Sequence, residues 1–218
     1  MHRISTTWPS LMNSLLILTT SKVMQVRMAS LALVNILIPT ALHYLHTHED
    51  SIKEPFSSDN YDSVLLEPWK QLAESPFVEV RTELSNAVSK LVIDYGHIMS
   101  NGWTALLSVV KKLNDLTALQ AIVDTYLDKI EEQIDEMVDA IDKVERNLSD
   151  PNQKYLCLTL IWAIGDYAYR REMHQLLRKI YSLLLQPEEM FALGTEARNS
   201  SFYILAELLV HNCSEKEY

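Results

Sequence analysis

Apolar residues recur at steps of three and four positions along almost the whole chain, the spacing that places them on one face of an α-helix. The sequence has no sustained alternation of apolar and polar residues and no Asn-Gly or Asp-Gly turn between β-branched runs, so it gives no support for strands. The pattern therefore predicts an all-α chain, with helices over residues 8–20, 22–46, 63–74, 76–99, 103–113, 117–129, 131–148, 151–170, 171–185 and 188–211.

Prolines and serines mark several of the predicted helix ends. Pro9 and Pro76 are interpreted as first-turn prolines, where the missing N–H has no partner to lose, and Ser75 is a good N-cap. Pro39 falls inside a predicted helix, and we expect a bend there because proline cannot donate the i→i−4 hydrogen bond.

One clear loop is predicted over residues 49–62, which are rich in Ser, Asp, Asn and Pro. We expect a flexible, solvated connector there. Shorter breaks are predicted at residues 100–102 and at 149–151, where Asp-Pro restarts a helix.

Three segments of the chain look alike, because each places an arginine early in a helix after a small or β-branched residue: Arg27, Arg81 and Arg198. Helix pairs that recur about every 40 residues are typical of HEAT and armadillo solenoids. We interpret the three arginines as structural, satisfying carbonyls or acidic neighbours between repeats. Trp103 and Trp162 are predicted to help fix the stacking of the repeats.

The predicted organisation is a single helical-repeat solenoid segment over residues 1–218. Solenoids end in polar capping repeats, whereas residues 203–210 are largely apolar. We therefore expect the segment to belong to a longer array.

Composition and charge narrow the classes of function. The chain has 218 residues, 48% of them hydrophobic, which allows a sizeable core. Its net charge of −10 disfavours nucleic-acid binding and, without a local basic patch, binding to anionic membranes. The four glycines are not clustered, so a phosphate-binding loop and a nucleotide cofactor are not expected.

The sequence predicts neither a signal peptide nor a membrane span. Residues 28–45 are apolar-rich, but polar residues and a proline interrupt the roughly 20 apolar residues that a span requires, so a buried repeat helix is expected. Cys157 and Cys213 are expected to be reduced, buried thiols.

Candidate catalytic and metal-binding groups are few. His43, His46 and His48, followed by two acids, are interpreted as a solvated helix end, because no fixed fourth ligand is evident. The acids between Asp124 and Asp142 are interpreted as a wet helix face opposite a buried stripe. No serine lies in a Gly-x-Ser-x-Gly elbow. We predict a non-enzyme without metal or cofactor.

An ordered series of short motifs resembles the Mon-two family and the regions downstream of the exchange domain in large Arf guanine-nucleotide exchange factors. The series consists of Pro68, Val80-Arg81, Asn101-Gly102-Trp103, a segment from Leu158-Thr159 through Trp162 to Gly165-Asp166-Tyr167, and Glu196-Ala197-Arg198-Asn199. The order and spacing carry the resemblance, which covers roughly residues 64–209. Asn101 stands where that pattern has serine.

This resemblance implies a peripheral scaffold of Golgi and endosome membranes, acting with a Dopey-type protein and an Arf-like GTPase. Two alternatives stay open: the C-terminal regulatory region of a large Arf exchange factor, and an unrelated HEAT-type adaptor in nuclear transport or phosphatase assembly. Homo-oligomerisation and peripheral membrane association also stay open.

Overall fold

The computed structural model describes residues 2–47, 61–99 and 102–184. These residues form α-helices and short 3₁₀ turns, without a strand among them, so the all-α prediction is confirmed for this part of the chain. The α-helices are α1 (His2–Thr19), α2 (Met24–Thr47), α3 (Tyr61–Leu72), α4 (Val78–Tyr95), α5 (Trp103–Leu113), α6 (Leu116–Thr125), α7 (Ile134–Asn147), α8 (Pro151–Arg170) and α9 (His174–Leu184).

Two prolines lie elsewhere in their helices than predicted. Because α1 begins at His2, Pro9 lies inside the helix rather than in its first turn. Because α4 begins at Val78, Pro76 precedes that helix, and Phe77 rather than Ser75 is its N-cap residue.

Helices α5 and α8 have the predicted bounds, and the region between α6 and α7 differs from the prediction. The predicted helix over residues 117–129 ends at Thr125, and two 3₁₀ turns, Leu127–Lys129 and Glu131–Gln133, lead into α7. Asp150 caps α8 as its break signal indicates, since its carboxylate accepts the N–H of Asn152 at 3.0 Å. Residues 49–60 of the predicted loop and the predicted helix over 188–211 lie outside the described residues, whereas the last two residues of the predicted loop, Tyr61 and Asp62, belong to α3.

The chain divides into two compact units, residues 1–122 and 123–218. In the first unit α1 packs on α2 and α3, α3 packs on α5, and α2 packs on α3 and α4. The odd-numbered helices thus contact one another in order, and so do α2 and α4. Large side chains fill the space between these helices: Leu31, Ile38, Leu42, Leu66, Trp69, Leu84, Leu91, Trp103, Leu106 and Leu107.

In the second unit α7 and α9 both pack on α8 and also contact each other. The buried stripe of α7 is the predicted one, formed by Ile134, Val138, Ile141 and Val144, each fully buried. The acids of this helix lie mostly on its exposed face, with Glu145 as a buried exception. The interpretation of most of the acidic series as a wet helix face is confirmed.

Helix α2 is the one helix of the described residues that is long and apolar enough, by length and composition, to cross a membrane. It packs against α1, α3 and α4, and Arg27 and Ser30 are buried on it together with its apolar residues. A core helix has the same composition. The expectation that the chain has no membrane span stays a prediction.

The two predicted stacking tryptophans differ in burial, and this gives a stability prediction. Trp103 is 2% exposed, whereas Trp162 is only half-buried. We expect Trp103→Ala to lower the free energy of unfolding by about 3–5 kcal/mol, because it leaves a large cavity, and Trp162→Ala to lower it by less than about 2 kcal/mol. Urea unfolding followed by circular dichroism measures both. Equal losses would contradict the difference in burial.

Burial also predicts the reactivity of Cys157, a free thiol on the packed face of α8. Desolvation, assisted by the negative charge of Glu145, raises the pKa of this thiol to about 12. In a Cys213→Ser variant at pH 8 we expect iodoacetamide to modify Cys157 only after denaturant is added. Mass spectrometry of the labelled peptide reports the outcome, and rapid labelling of the native chain would show that the thiol is accessible.

Candidate functional site

The turns that precede α2 and α4 are held by the same hydrogen bonds. Each contains a serine, Ser21 or Ser75, whose hydroxyl oxygen accepts the backbone N–H two residues later, at 3.2 and 3.3 Å. Six residues after each serine, an arginine on the first turn of the helix donates to that serine's carbonyl oxygen: Arg27 to Ser21 at 2.7 Å, and Arg81 to Ser75. The chain therefore builds one local structure twice.

The sequence pattern singled out the two arginines. It gave Ser75 only as an N-cap and paired neither serine with its arginine. A Ser-x₅-Arg spacing at both turns was a usable signal. Serine favours turns because its side chain competes for nearby backbone groups, and here it leaves its own carbonyl to the arginine. Arg198, the third arginine of the pattern, lies outside the described residues.

Arg27 also joins the two turns to each other. Its side chain is buried, and its guanidinium forms an ion pair with Glu79 on the first turn of α4. The guanidinium carbon also lies 3.9 Å from the centre of the Phe77 ring, a cation–π contact. The hydrogen bond from Arg27 lowers the pKa of Glu79, and the charges of Arg27 and Arg81 add to that effect. Arg27 thus contacts carbonyl oxygens and an acid, and its role between repeats stays a prediction.

The turn before α6, between α5 and α6, contains a buried acid where the turns before α2 and α4 are bound by an arginine. Asp115 accepts the Ser85 hydroxyl at 2.6 Å and the Ser89 hydroxyl at 3.0 Å, both from α4. It also accepts the backbone N–H of Ala118 at 3.0 Å, which caps the start of α6. A single carboxylate thus ties α4 to the start of α6. Sequence analysis did not single it out.

A third polar contact corrects the interpretation of the histidines. His46 Nε2 lies 3.0 Å from Asp62 Oδ1, and the Asp62 side chain is 3% exposed at the start of α3. His46 therefore connects the end of α2 to the start of α3. It was interpreted as part of a solvated helix end, but the first turn of α3 packs beside it. His43 is exposed, with its ring near Tyr95, and His48 lies outside the described residues.

Gly102 has a clear steric reason to be glycine. A Cβ atom there would lie 2.6 Å from the Cβ of Asp62 and 2.9 Å from the end of the Met99 side chain. The Gly102-Trp103 pair therefore allows α5 to start close against α3, with Trp103 buried directly behind it. The motif residues are packing residues in this structure.

The second unit has one ion pair with a buried partner, Lys154 to Glu145 at 3.2 Å, and several more exposed charged contacts. Asp128 accepts the Tyr167 hydroxyl at 3.1 Å and Arg171 at 2.7 Å, and the bond from Arg171 is the main cause of its lowered pKa. Lys179 lies between two acids of α7, 2.7 Å from Asp139 and 2.9 Å from Asp135. Such exposed pairs contribute little to stability, so they leave this face available to solvent.

The described surface of the first unit has a groove between α2 and α4, with a volume of about 540 Å³. Its walls are side chains at helical spacing on the two helices: Ala32, Asn35, Ile36, Pro39 and Thr40 of α2, and Glu83, Asn86, Ala87, Lys90, Leu91, Asp94 and Tyr95 of α4. Ile36 is 62% exposed although it lies in the groove. The space beside Ile36 makes this groove a candidate binding surface.

Among the residues that the structure describes, no three His, Cys, Asp or Glu side chains are grouped so that they could hold a metal ion. The polar contacts just described hold helices together, and the groove offers a surface for contact with another molecule. The arrangement can therefore position helices and present a binding face.

Comparisons with known proteins give one similarity. The chain is 20% identical over 193 residues to Monensin-resistant homolog 2 of Caenorhabditis elegans. The aligned region covers 82% of this chain and 11% of that protein. The chain thus spans about a tenth of the length of this relative. No family model matches the chain, and no solved structure matches it.

The ion pair between buried Arg27 and partly exposed Glu79 predicts how stability depends on pH. The pKa of Glu79 lies below its usual 4.5 in the folded protein, so its ionised form stabilises the fold above about pH 4.5, and this contribution is lost as the pH falls through the folded value. We expect Glu79→Gln to be less stable than the parent chain at pH 7, with the difference shrinking below pH 4.5. Urea unfolding across this range tests the expectation. A difference independent of pH would contradict it.

Proposed function

We propose that this chain is a segment of a HEAT- or armadillo-like α-solenoid that acts as a non-catalytic scaffold in membrane traffic between the Golgi and endosomes. The observation that carries the proposal is the serine–arginine turn built twice, before α2 and before α4. Identical local structure at equivalent points of successive helix pairs is what repetition of one structural unit produces.

The packing of the first unit supports a repeat architecture. Helices α1 and α2 contact each other, as do α3 and α4, and α1 also lies against α3 and α2 against α4. In a solenoid each pair buries its apolar stripe against its neighbours. Polar contacts that run from one pair to the next, such as Arg27 to Glu79 and Ser85 to Asp115, are what fixes the stacking of such pairs.

The trafficking assignment is supported by the sequence motifs and by the similarity to Monensin-resistant homolog 2. The motif residues also have physical roles in the described part of the chain: Val80 is fully buried, Arg81 binds the turn before α4, and Gly102-Trp103 starts α5 against α3. Such residues are constrained by packing, so a related chain with the same packing would keep them.

For partners we propose a Dopey-type protein and an Arf-like GTPase, bound at the cytoplasmic face of Golgi and endosome membranes. The net charge of −10 argues against nucleic acid as a partner, since it repels phosphate backbones. Scaffolds of this kind bind through surfaces formed by successive helices, and neither a cofactor nor a metal is needed.

Affinity capture from cell extract with this chain as bait, followed by mass spectrometry, tests the function. We expect enrichment of a Dopey-type protein or a Golgi Arf-family GTPase, and loss of that enrichment with the Trp103→Ala bait, whose first unit is destabilised. Circular dichroism and gel filtration first establish that the parent bait is folded and monodisperse. Recovery of import cargo or a phosphatase subunit from the folded bait would contradict the trafficking role, as would recovery of no partner.

A further inference from the structure

We propose that the α2–α4 groove binds a helix of a partner protein that carries an apolar ridge with lysine or arginine residues at both ends. This names the binding surface and the partner chemistry for the scaffold, and in that sense it rests on the proposed function. The inference comes from the shape of the groove, its apolar wall and the charges along α4.

The shape of the groove suits a helix. Its walls come from two helices at positions spaced by three and four residues, so the groove runs between two ridges of side chains. Several wall residues are small, including Ala32 and Ala87, which is why space is left between α2 and α4. An apolar ridge at i, i+3, i+4 and i+7 of a partner helix would enter that space against Ile36.

The groove is rich in hydrogen-bond acceptors. Glu83 and Asp94 are exposed on the groove side of α4, and neither forms an ion pair with any residue that the structure describes. Carboxylates without an ion-pair partner favour a partner with cationic donors.

The distance between the Glu83 and Asp94 positions also indicates how far apart the basic residues of the partner helix lie. These two positions are eleven residues apart on α4, which corresponds to about 16 Å along the helix axis. A partner helix that lies along the groove reaches both with basic residues about eleven positions apart. An extended strand would cover the same distance with about five residues, without an apolar ridge of the right width.

Lys90 lies between these acids on the same face of α4 and has the opposite sign. Its ammonium group forms no ion pair with a described residue, so its charge opposes a cationic partner. This gives the proposal a test of sign: neutralising the acids must weaken binding, and neutralising Lys90 must strengthen it. A simple loss of structure would weaken binding in both cases.

The test measures binding of two synthetic helix-forming peptides of alanine and leucine by fluorescence anisotropy at low salt. Both have leucines at i, i+3, i+4 and i+7, and one has lysine pairs at its ends where the other has glutamate pairs. We expect the lysine peptide to bind at least about tenfold more tightly. The double variant Glu83→Gln, Asp94→Asn is expected to weaken its binding by about three- to tenfold.

Two further variants complete the set. Ile36→Ser removes the exposed apolar side chain from the groove and is expected to weaken binding of the lysine peptide, whereas Lys90→Gln is expected to strengthen it by about two- to fivefold. Asp124→Asn with Glu132→Gln is the matched control, since it neutralises two exposed acids of the other unit and must leave binding unchanged.

Equal affinity for the two peptides would overturn the proposal, and so would a control variant that weakens binding as much as the groove variant. The same preparations serve as baits in the affinity capture. A chain that captures trafficking partners but does not bind the lysine peptide contradicts the groove alone. A chain that binds the peptide in the groove but captures no trafficking partner contradicts the proposed function alone.

Discussion

The buried charge of Arg27 is the constraint on which the first unit depends. Removing a guanidinium from water is costly unless acceptors and a counter-charge replace the lost hydration. Here two carbonyls of the preceding turn, the Glu79 carboxylate and the face of the Phe77 ring do so together. These partners come from the turn before α2 and from the start of α4, so the contact joins the two turns. The buried Nε of Arg27 has no hydrogen-bond partner among the described residues.

Two buried acids of the first unit, Asp62 and Asp115, also have their charges compensated by polar partners from other helices. Asp115 collects two serine hydroxyls from α4, and Asp62 receives His46 from α2. Each buried acid lies in the turn before a helix or in its first turn, where free backbone N–H groups and the helix dipole favour negative charge. Other polar contacts lie in the middle of the helices, where the Asn35 amide oxygen of α2 accepts the Trp69 indole N–H of α3 at 3.1 Å. The α2–α4 groove lies in that middle region, where small residues leave space between the two helices.

The sequence predicted much of the local structure because local structure depends on local pattern. The three- and four-residue spacing of apolar residues located the helices, and the stripe of Ile134, Val138, Ile141 and Val144 named the buried face of α7. The sequence also singled out Arg27 and Arg81, because the segments that contain them are similar. It failed where a residue's role depends on a distant one: His46 was interpreted as solvated because Asp62, sixteen residues later, cannot be paired with it from spacing.

What the sequence determined by itself was therefore the all-α class, most helix boundaries and the acidic surface, since each follows from the periodicity, the turn residues and the charge of a short segment. Only the tertiary structure decided which side chains meet. It buried Asp62 and Asp115, left Trp162 half-exposed and opened a groove beside Ile36. The physical reason is that burial and partner choice are properties of the space between helices, and that space is set by packing of residues far apart in the chain.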